Sequence, residues 1–211
     1  MLVMERALKT LSLKDYERRT PELVAQLLSI AEFDGCFALT DHGIAEEDIK
    51  AMFVMSEKFF SLLSQVKEKY PFERTKVLPS YKIAQLKNAG WESNSQLRPS
   101  TGTYDMKESL PLQYAAATSD GKWPTDQDCP GFEEITKRFM AKCRAVSCVV
   151  MRLFAIGLGL NHEEWFVEVH DIENRGNMST LRYIHYHDMH GKQHLQVTGV
   201  QGMFVNTSMI R

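Results

Sequence analysis

The amino-acid sequence predicts an α+β protein in which a helix-rich region, residues 1–176, precedes a short strand-forming region, residues 177–211. Two amphipathic helical patterns come first, and a longer one runs from Phe132 to Phe154. After Asn177 the pattern changes to the period-two alternation of strands. With 211 residues, 44% of them apolar, the chain is long enough to bury a hydrophobic core.

Charge and hydropathy narrow the classes of function. Lys and Arg total 25 against 27 for Asp and Glu, so the net charge of -2 gives no overall field that would favour nucleic acid or anionic lipid. The first residues lack the apolar core of a signal peptide, and no stretch has the roughly 20 apolar residues that span a bilayer. We therefore expect a soluble, cytoplasmic protein without nucleic-acid or membrane partners.

The first helix is expected to begin at Thr20 and Pro21, since a threonine hydroxyl caps free N–H groups and proline has no N–H to leave unpaired. Gly35 is expected to end it, and the apolar run of residues 36–40 then predicts a buried strand. A second helix should open with the acidic residues at 46–48, which suit the positive end of a helix dipole. Its apolar face consists of Ile49, Met52, Phe53, Phe60 and Leu63.

Helical periodicity fades between residues 70 and 130, where glycines and prolines predict an ordered loop with short helical or extended pieces. Within it, Lys107, Glu108 and Ser109 are sequential neighbours, and such a group on a loop is typical of a solvated face rather than an acid–base site. Periodicity returns in the third helix, which is expected to stop at Gly157 and Gly159.

The last region holds the one crowded group of histidines in the sequence. Residues 179–186 predict a strand with Leu181, Tyr183 and His185 on one face. A turn-like stretch follows with His187, Asp188, His190 and His194. Imidazoles with a carboxylate suit a divalent metal ion, whereas the same residues also suit a solvated polar turn, so both interpretations stay open. His42 and His170 are expected to be caps or surface groups.

The four cysteines, Cys36, Cys129, Cys143 and Cys148, show no C-x-x-C pairing. We expect free thiols at all four positions, with neither disulfides nor zinc.

Several stretches, taken together and in order, resemble the N-terminal part of the non-haem Fe(II)- and 2-oxoglutarate-dependent dioxygenases of the isopenicillin N synthase-like family. The resemblance is greatest to fungal members that act in specialised metabolism. It runs over roughly residues 10 to 186, and the matching stretches are residues 37–44, 56–60 with 67–70, 90–92, 98–103 with 105–109, 151–160 and 179–186.

The resemblance implies a helical N-terminal region packed on a double-stranded β-helix, or jelly roll, that binds Fe(II) and 2-oxoglutarate and oxidises a small molecule. In the family an H-x-D pair follows the strand that resembles residues 181–186, and a distal histidine and an arginine for the keto acid come later. This sequence contains no H-x-D. His187 and Asp188 are the nearest substitutes for the metal ligands, with His190 or His194 as a third, and no residue is assigned to catalysis or to the keto acid.

Geometry indicates that the jelly roll is partial. Eight strands with their turns need on the order of 80 residues, more than the stretch after Asn177 provides. We therefore interpret the chain as C-terminally truncated, with an incomplete jelly roll whose uncovered strands favour self-association. Two functions remain open at this point: a dioxygenase acting on a small molecule, or an inactive relative that serves as a binding or interaction module.

Overall fold

The computed structural model describes residues 8–73, 76–77, 83–85, 88–95, 97–98, 102–115, 119–173, 179–187 and 204–206. Over these residues the helices are α1 (Tyr16–Phe33), α2 (Glu46–Phe60), α3 (Ser64–Lys67), α4 (Phe132–Gly157) and α5 (Trp165–Val169). The strands over the same residues are β1 (Thr10–Ser12), β2 (Ala38–Thr40), β3 (Lys76–Val77), β4 (Ile83–Gln85), β5 (Glu92–Ser93), β6 (Leu97–Arg98), β7 (Thr103–Tyr104), β8 (Lys107–Gln113), β9 (Thr180–Tyr186) and β10 (Phe204–Asn206). The predicted helices α2 and α4 and the predicted strand β9 are confirmed.

The chain divides into two compact units, of which the first comprises residues 1–45 and 141–171. In this unit β1 pairs with β2 in parallel, so that Leu11 lies opposite Leu39. A core cluster packs beneath the pair and consists of Leu11, Leu13, Leu23, Leu27 and Leu153. The strand predicted as buried is only partly so, because Leu39 packs against the cluster while Thr40 is exposed.

Helix α1 begins at Tyr16, four residues before the predicted start, so Pro21 lies inside the helix. Proline cannot donate to the carbonyl four residues earlier, which here belongs to Glu17. The Thr20 hydroxyl donates to that carbonyl over 3.3 Å and to the carbonyl of Tyr16 over 3.0 Å. The hydroxyl thus supplies a hydrogen bond that the proline leaves unmade. The predicted end is confirmed, since Gly35 adopts a φ of 73° after the last turn.

The second unit comprises residues 46–140 and 172–211 and contains a four-stranded antiparallel sheet in the order β10-β9-β8-β5. Strands β8 and β9 pair along seven residues, with Leu110 opposite Tyr183 and Leu112 opposite Leu181. These four side chains share one face, and all are buried. Tyr183 packs there against Phe132 of α4, with ring centroids 5.2 Å apart.

Strand β8 lies in the region predicted to be mostly loop, and Pro111 at its centre is the reason why the pattern did not indicate a seven-residue strand. The Pro111 carbonyl accepts a hydrogen bond of 2.9 Å from the Gly90 N–H. In an antiparallel ladder the N–H and C=O of one residue point to the same side. The missing N–H of Pro111 therefore faces the Gly90 segment, and pairing with β9 loses no donor.

The fold class is α+β, with helices and an antiparallel sheet. The boundary proposed between residues 176 and 177 stays a prediction. All four cysteines are free thiols. Among the described residues, no helix combines the length and apolar character that a membrane span requires.

Candidate functional site

Glu108 lies on β8 and is only 3% exposed, so the prediction of a solvated Lys107-Glu108-Ser109 group is wrong. Alternation along β8 places Glu108 on the same face as Leu110 and Leu112, which is the face that the helices cover. His185 of β9 lies directly opposite it in the register. A strand, unlike a loop, fixes which of its side chains enter the core, and here one of them is a carboxylate.

Three donors converge on the Glu108 carboxylate. The Lys67 ammonium, from α3, donates to Oε2 over 2.7 Å, and the Trp91 indole donates to the same oxygen over 2.8 Å. His185 Nδ1 lies 3.0 Å from Oε1. The Lys67 and Glu108 side chains are 7% and 4% exposed, and Lys67 donates a further hydrogen bond to the Phe60 carbonyl. The buried charge is therefore paired and its polar atoms are satisfied.

The pKa of Glu108 reflects two opposing effects. Burial acts to raise it, whereas the hydrogen bonds from Lys67, His185 and Trp91 act to lower it, and together they bring the pKa below its ordinary value of 4.5. Glu108 is thus an ionised acceptor at neutral pH. Because an ionised carboxylate can only accept, the proton between Glu108 and His185 belongs to Nδ1 of the histidine.

His185 and His187 lie together at the end of β9. Their ring centroids are 5.6 Å apart at an angle of 84°, as expected for residues two apart along an extended chain. One ring nitrogen of each histidine and one Glu108 oxygen all lie within 4.8 Å of one another. His185 also stacks on Phe60, with 5.5 Å between centroids, while its side chain stays 39% exposed. The cluster is therefore held from beneath and reachable from one side.

The residues predicted as metal ligands are only in part placed by the structure. His187 belongs to the cluster, whereas Asp188, His190 and His194 lie outside the described residues, so the set His187, Asp188 and His190 stays a prediction. His42 and His170 are local caps: Nδ1 of His42 accepts from the Ile44 N–H, and Nδ1 of His170 lies 2.8 Å from a helix carbonyl.

Glu108 and Lys67 are site residues that the sequence pattern does not predict. They lie 77 and 118 positions before His185, and no local pattern links them. Only the pairing of β8 with β9 and the position of α3 bring the three side chains together.

Two histidines and one carboxylate match the donor set of a non-haem iron site in number. The arrangement does not fit iron with Glu108 as a ligand, however. Both Glu108 oxygens already accept hydrogen bonds, and an ion bound at Oε2 would lie against the Lys67 ammonium, a like charge held 2.7 Å from that oxygen. Glu108 is therefore a hydrogen-bond acceptor for Lys67, Trp91 and His185 rather than an iron ligand.

The opposite face of the sheet carries polar side chains beside Pro111 and Ile184. It carries Ser109 and Gln113 of β8, each 1% exposed, and Arg182 of β9, which is half-buried. The Ser109 hydroxyl donates to Glu92 over 3.1 Å, and the Gln113 side-chain oxygen accepts from a backbone N–H of the segment before β5. The face against the helices is thus apolar apart from Glu108 and His185, and the other face is held by hydrogen bonds of its polar side chains.

Comparison with known proteins gives concordant matches. Residues 8–130 match the profile of a family described as non-haem dioxygenase in morphine synthesis, N-terminal. The 2-oxoglutarate-Fe(II) type oxidoreductase ppzD of Metarhizium rileyi is 31% identical over 177 residues, which cover 80% of this chain and 46% of that protein. The protein of the same name from Metarhizium majus is 27% identical, over 89% of this chain and 58% of its own length.

Among solved structures, a full-length Neurospora crassa protein in complex with alpha-KG superposes with a TM-score of 0.68 at 20% identity, covering 88% of this chain and 56% of that one. At this identity the likeness concerns the fold alone. The same Neurospora crassa protein has also been solved with thymine. The names of the curated relatives give iron and 2-oxoglutarate as their cofactors. The present chain spans about half the length of those relatives.

Proposed function

Because this chain belongs to the non-haem dioxygenase family, we propose that it functions in an Fe(II)- and 2-oxoglutarate-dependent oxidoreductase that oxidises a small molecule in fungal specialised metabolism. The observation that carries the proposal is the family match over residues 8–130, together with the two fungal relatives whose names state this chemistry. In such an enzyme iron and the keto acid supply the oxidising power, and the protein supplies binding and orientation.

The two faces of the sheet differ in what they contact. One face of the sheet packs on α2 and α4 through Tyr183. On the other face Ser109 and Gln113 are buried, whereas Arg182 keeps part of its surface exposed. We assign the four antiparallel strands β10-β9-β8-β5 to a double-stranded β-helix. The small-molecule substrate and the keto acid would then bind on the Arg182 side of the sheet.

Arg182 is the residue on that face best suited to an organic anion. It lies on β9 between Leu181 and Tyr183, whose side chains point into the apolar core, so alternation directs Arg182 to the other side. A guanidinium pairs with a carboxylate through two parallel N–H groups. We assign to Arg182 the binding of a carboxylate, whether of the keto acid or of the substrate.

The test is anaerobic addition of Fe(II) and 2-oxoglutarate to the full chain at high protein concentration. A weak visible charge-transfer band is expected, and Arg182→Leu should reduce it if the bound carboxylate is that of the keto acid. Arg138→Leu serves as the matched control, because Arg138 is 54% exposed on α4. A flat spectrum from the unmodified chain would exclude iron and keto-acid binding by this chain and favour the inactive binding module.

A further inference from the structure

We propose that His185 and His187 form a binding site for a divalent transition-metal ion such as Zn²⁺, with Glu108 orienting His185 rather than binding the ion. The proposal does not depend on the dioxygenase function. It also differs from the ligand set that the sequence predicts around Asp188 and His190. Imidazole nitrogen is a preferred donor for zinc, copper and nickel ions.

The hydrogen bond to Glu108 fixes the form of the His185 ring. With the proton on Nδ1 and facing Oε1 at 3.0 Å, Nε2 carries the free electron pair that a metal ion requires. Histidine ligands commonly donate their other N–H to a carboxylate, which sets the tautomer and raises the basicity of the ligating nitrogen. The buried carboxylate beneath His185 has that relationship to the ring.

The ring is also held in place. Glu108 cannot turn away, because Lys67 and Trp91 donate to its other oxygen at 2.7 and 2.8 Å. Phe60 stacks on the ring at an interplanar angle of 26°. The His185 ring is thus already ordered before an ion binds, which lowers the entropy cost of binding. The 39% exposure of the side chain leaves a path to solvent for the ion and its water ligands.

His187 brings the second imidazole to the same place. Its backbone N–H donates to the Met106 carbonyl over 3.3 Å, which ties the residue after β9 to the residue before β8. Two nitrogens bound to one Zn²⁺ at about 2.1 Å are at most about 4.2 Å apart. One ring nitrogen of each histidine lies within 4.8 Å of the other. Two nitrogens of a tetrahedral zinc site are about 3.4 Å apart, so binding requires both rings to turn toward the ion. Water fills the remaining positions.

The experiment is calorimetric titration of the full chain with Zn²⁺ in the absence of 2-oxoglutarate. His185→Ala and His187→Ala should each weaken the binding at least about tenfold. His162→Ala is the matched control, because His162 also lies 3.0 Å from a carboxylate, that of Glu168, on an exposed surface. Its affinity should equal that of the unmodified chain. No Zn²⁺ binding by the unmodified chain, or binding unchanged in His187→Ala, would overturn the site.

The double variant Asp188→Asn/His190→Ala separates this site from the one that the sequence predicts. The double variant should bind Zn²⁺ as tightly as the unmodified chain. If the double variant lost Zn²⁺ binding while His185→Ala kept it, the proposal would be overturned. The role of Glu108 is tested by Glu108→Gln, which should lower the affinity about 10- to 100-fold. Nitrogen NMR of His185 in the unmodified chain gives a check that needs no variant of the buried carboxylate: Nδ1–H is expected, and Nε2–H would contradict the orienting role.

Discussion

Lys67 and Glu108 form a buried ion pair with 2.7 Å between Nζ and Oε2, although 41 residues separate them in the sequence. Lys67 ends α3, and Glu108 is the second residue of β8, so the pair joins a helix to the sheet. A buried pair of this kind contributes little net stability compared with apolar residues, but losing one partner leaves the other charge without compensation. The pair therefore makes the position of α3 depend on the register of β8.

Replacing Lys67 with methionine should lower the free energy of unfolding by about 3 kcal/mol, because Glu108 would stay buried without its cation. Urea denaturation monitored by circular dichroism measures the loss. Lys50→Met is the control, since the Lys50–Glu46 pair is exposed on α2 and should matter little. The double variant Lys67→Met/Glu108→Leu should regain much of the stability. Equal losses in Lys67→Met and Lys50→Met would show that burial of the pair has no effect on stability.

Gly90→Ala should be among the most destabilising small substitutions in the second unit. An added Cβ would overlap the Pro71 carbonyl oxygen, and the φ of 113° is one that residues with a side chain rarely adopt. Gly121→Ala shares the positive φ but meets nothing within 4 Å. Gly121→Ala should lower the free energy of unfolding by only about 1–2 kcal/mol. Gly90→Ala should lower it clearly more in the same thermal or urea measurement. Similar losses in the two variants would refute the steric argument.

Asp128 should make the folded state less stable in acid. The hydrogen bond from Tyr70, first, and that from Lys69 hold the pKa of this carboxyl below its ordinary value of 3.8. A lowered pKa in the folded state gives stability that is present above about pH 3.8 and is lost as the pH falls through the folded pKa. Carbon NMR of the Asp128 carboxyl measures that pKa. Tyr70→Phe should raise it toward 3.8, and an unchanged pKa would show that the phenol does not control it.

Tyr183 and Thr136 should show strong energetic coupling. Their hydroxyl oxygens lie 2.6 Å apart in the core, and both residues are at most 2% exposed. Tyr183→Phe should cost about 1–3 kcal/mol, since it leaves the buried threonine hydroxyl without this partner. The double variant with Thr136→Val should cost less than the sum of the single variants, because the second change removes the orphaned group. A double-mutant cycle from urea denaturation measures the coupling, and additive losses would argue against it.

Burial also makes the Tyr183 phenol a weaker acid than usual. Burial raises the pKa of Tyr183 strongly, whereas the Thr136 hydroxyl lowers it by a smaller amount. Tyr183 therefore stays neutral on the apolar face of the sheet, and its role is structural.

The sequence pattern and the structure disagree at two prolines, Pro21 and Pro111. Thr20 and Pro21 predict a helix start, yet α1 begins at Tyr16. Inside the helix the threonine hydroxyl donates to the Glu17 carbonyl, to which proline cannot donate. Pro111 hides β8 in the same way, since its missing N–H is harmless only on the side where Gly90 lies. At Pro21 a neighbouring hydroxyl replaces the missing donor, and at Pro111 the missing donor lies on the side away from β9. Single-residue propensity records neither circumstance.

Periodicity and ordered local motifs are sufficient to predict α2, α4, the family, and the face of β9 that carries Leu181, Tyr183 and His185. The burial of the Glu108 anion among Lys67, Trp91 and His185 is visible only in the folded chain. Helix and strand patterns arise from residues a few positions apart, whereas strand pairing brings together side chains from distant parts of the chain. The environment of Glu108, and with it the tautomer of His185, follows from that pairing.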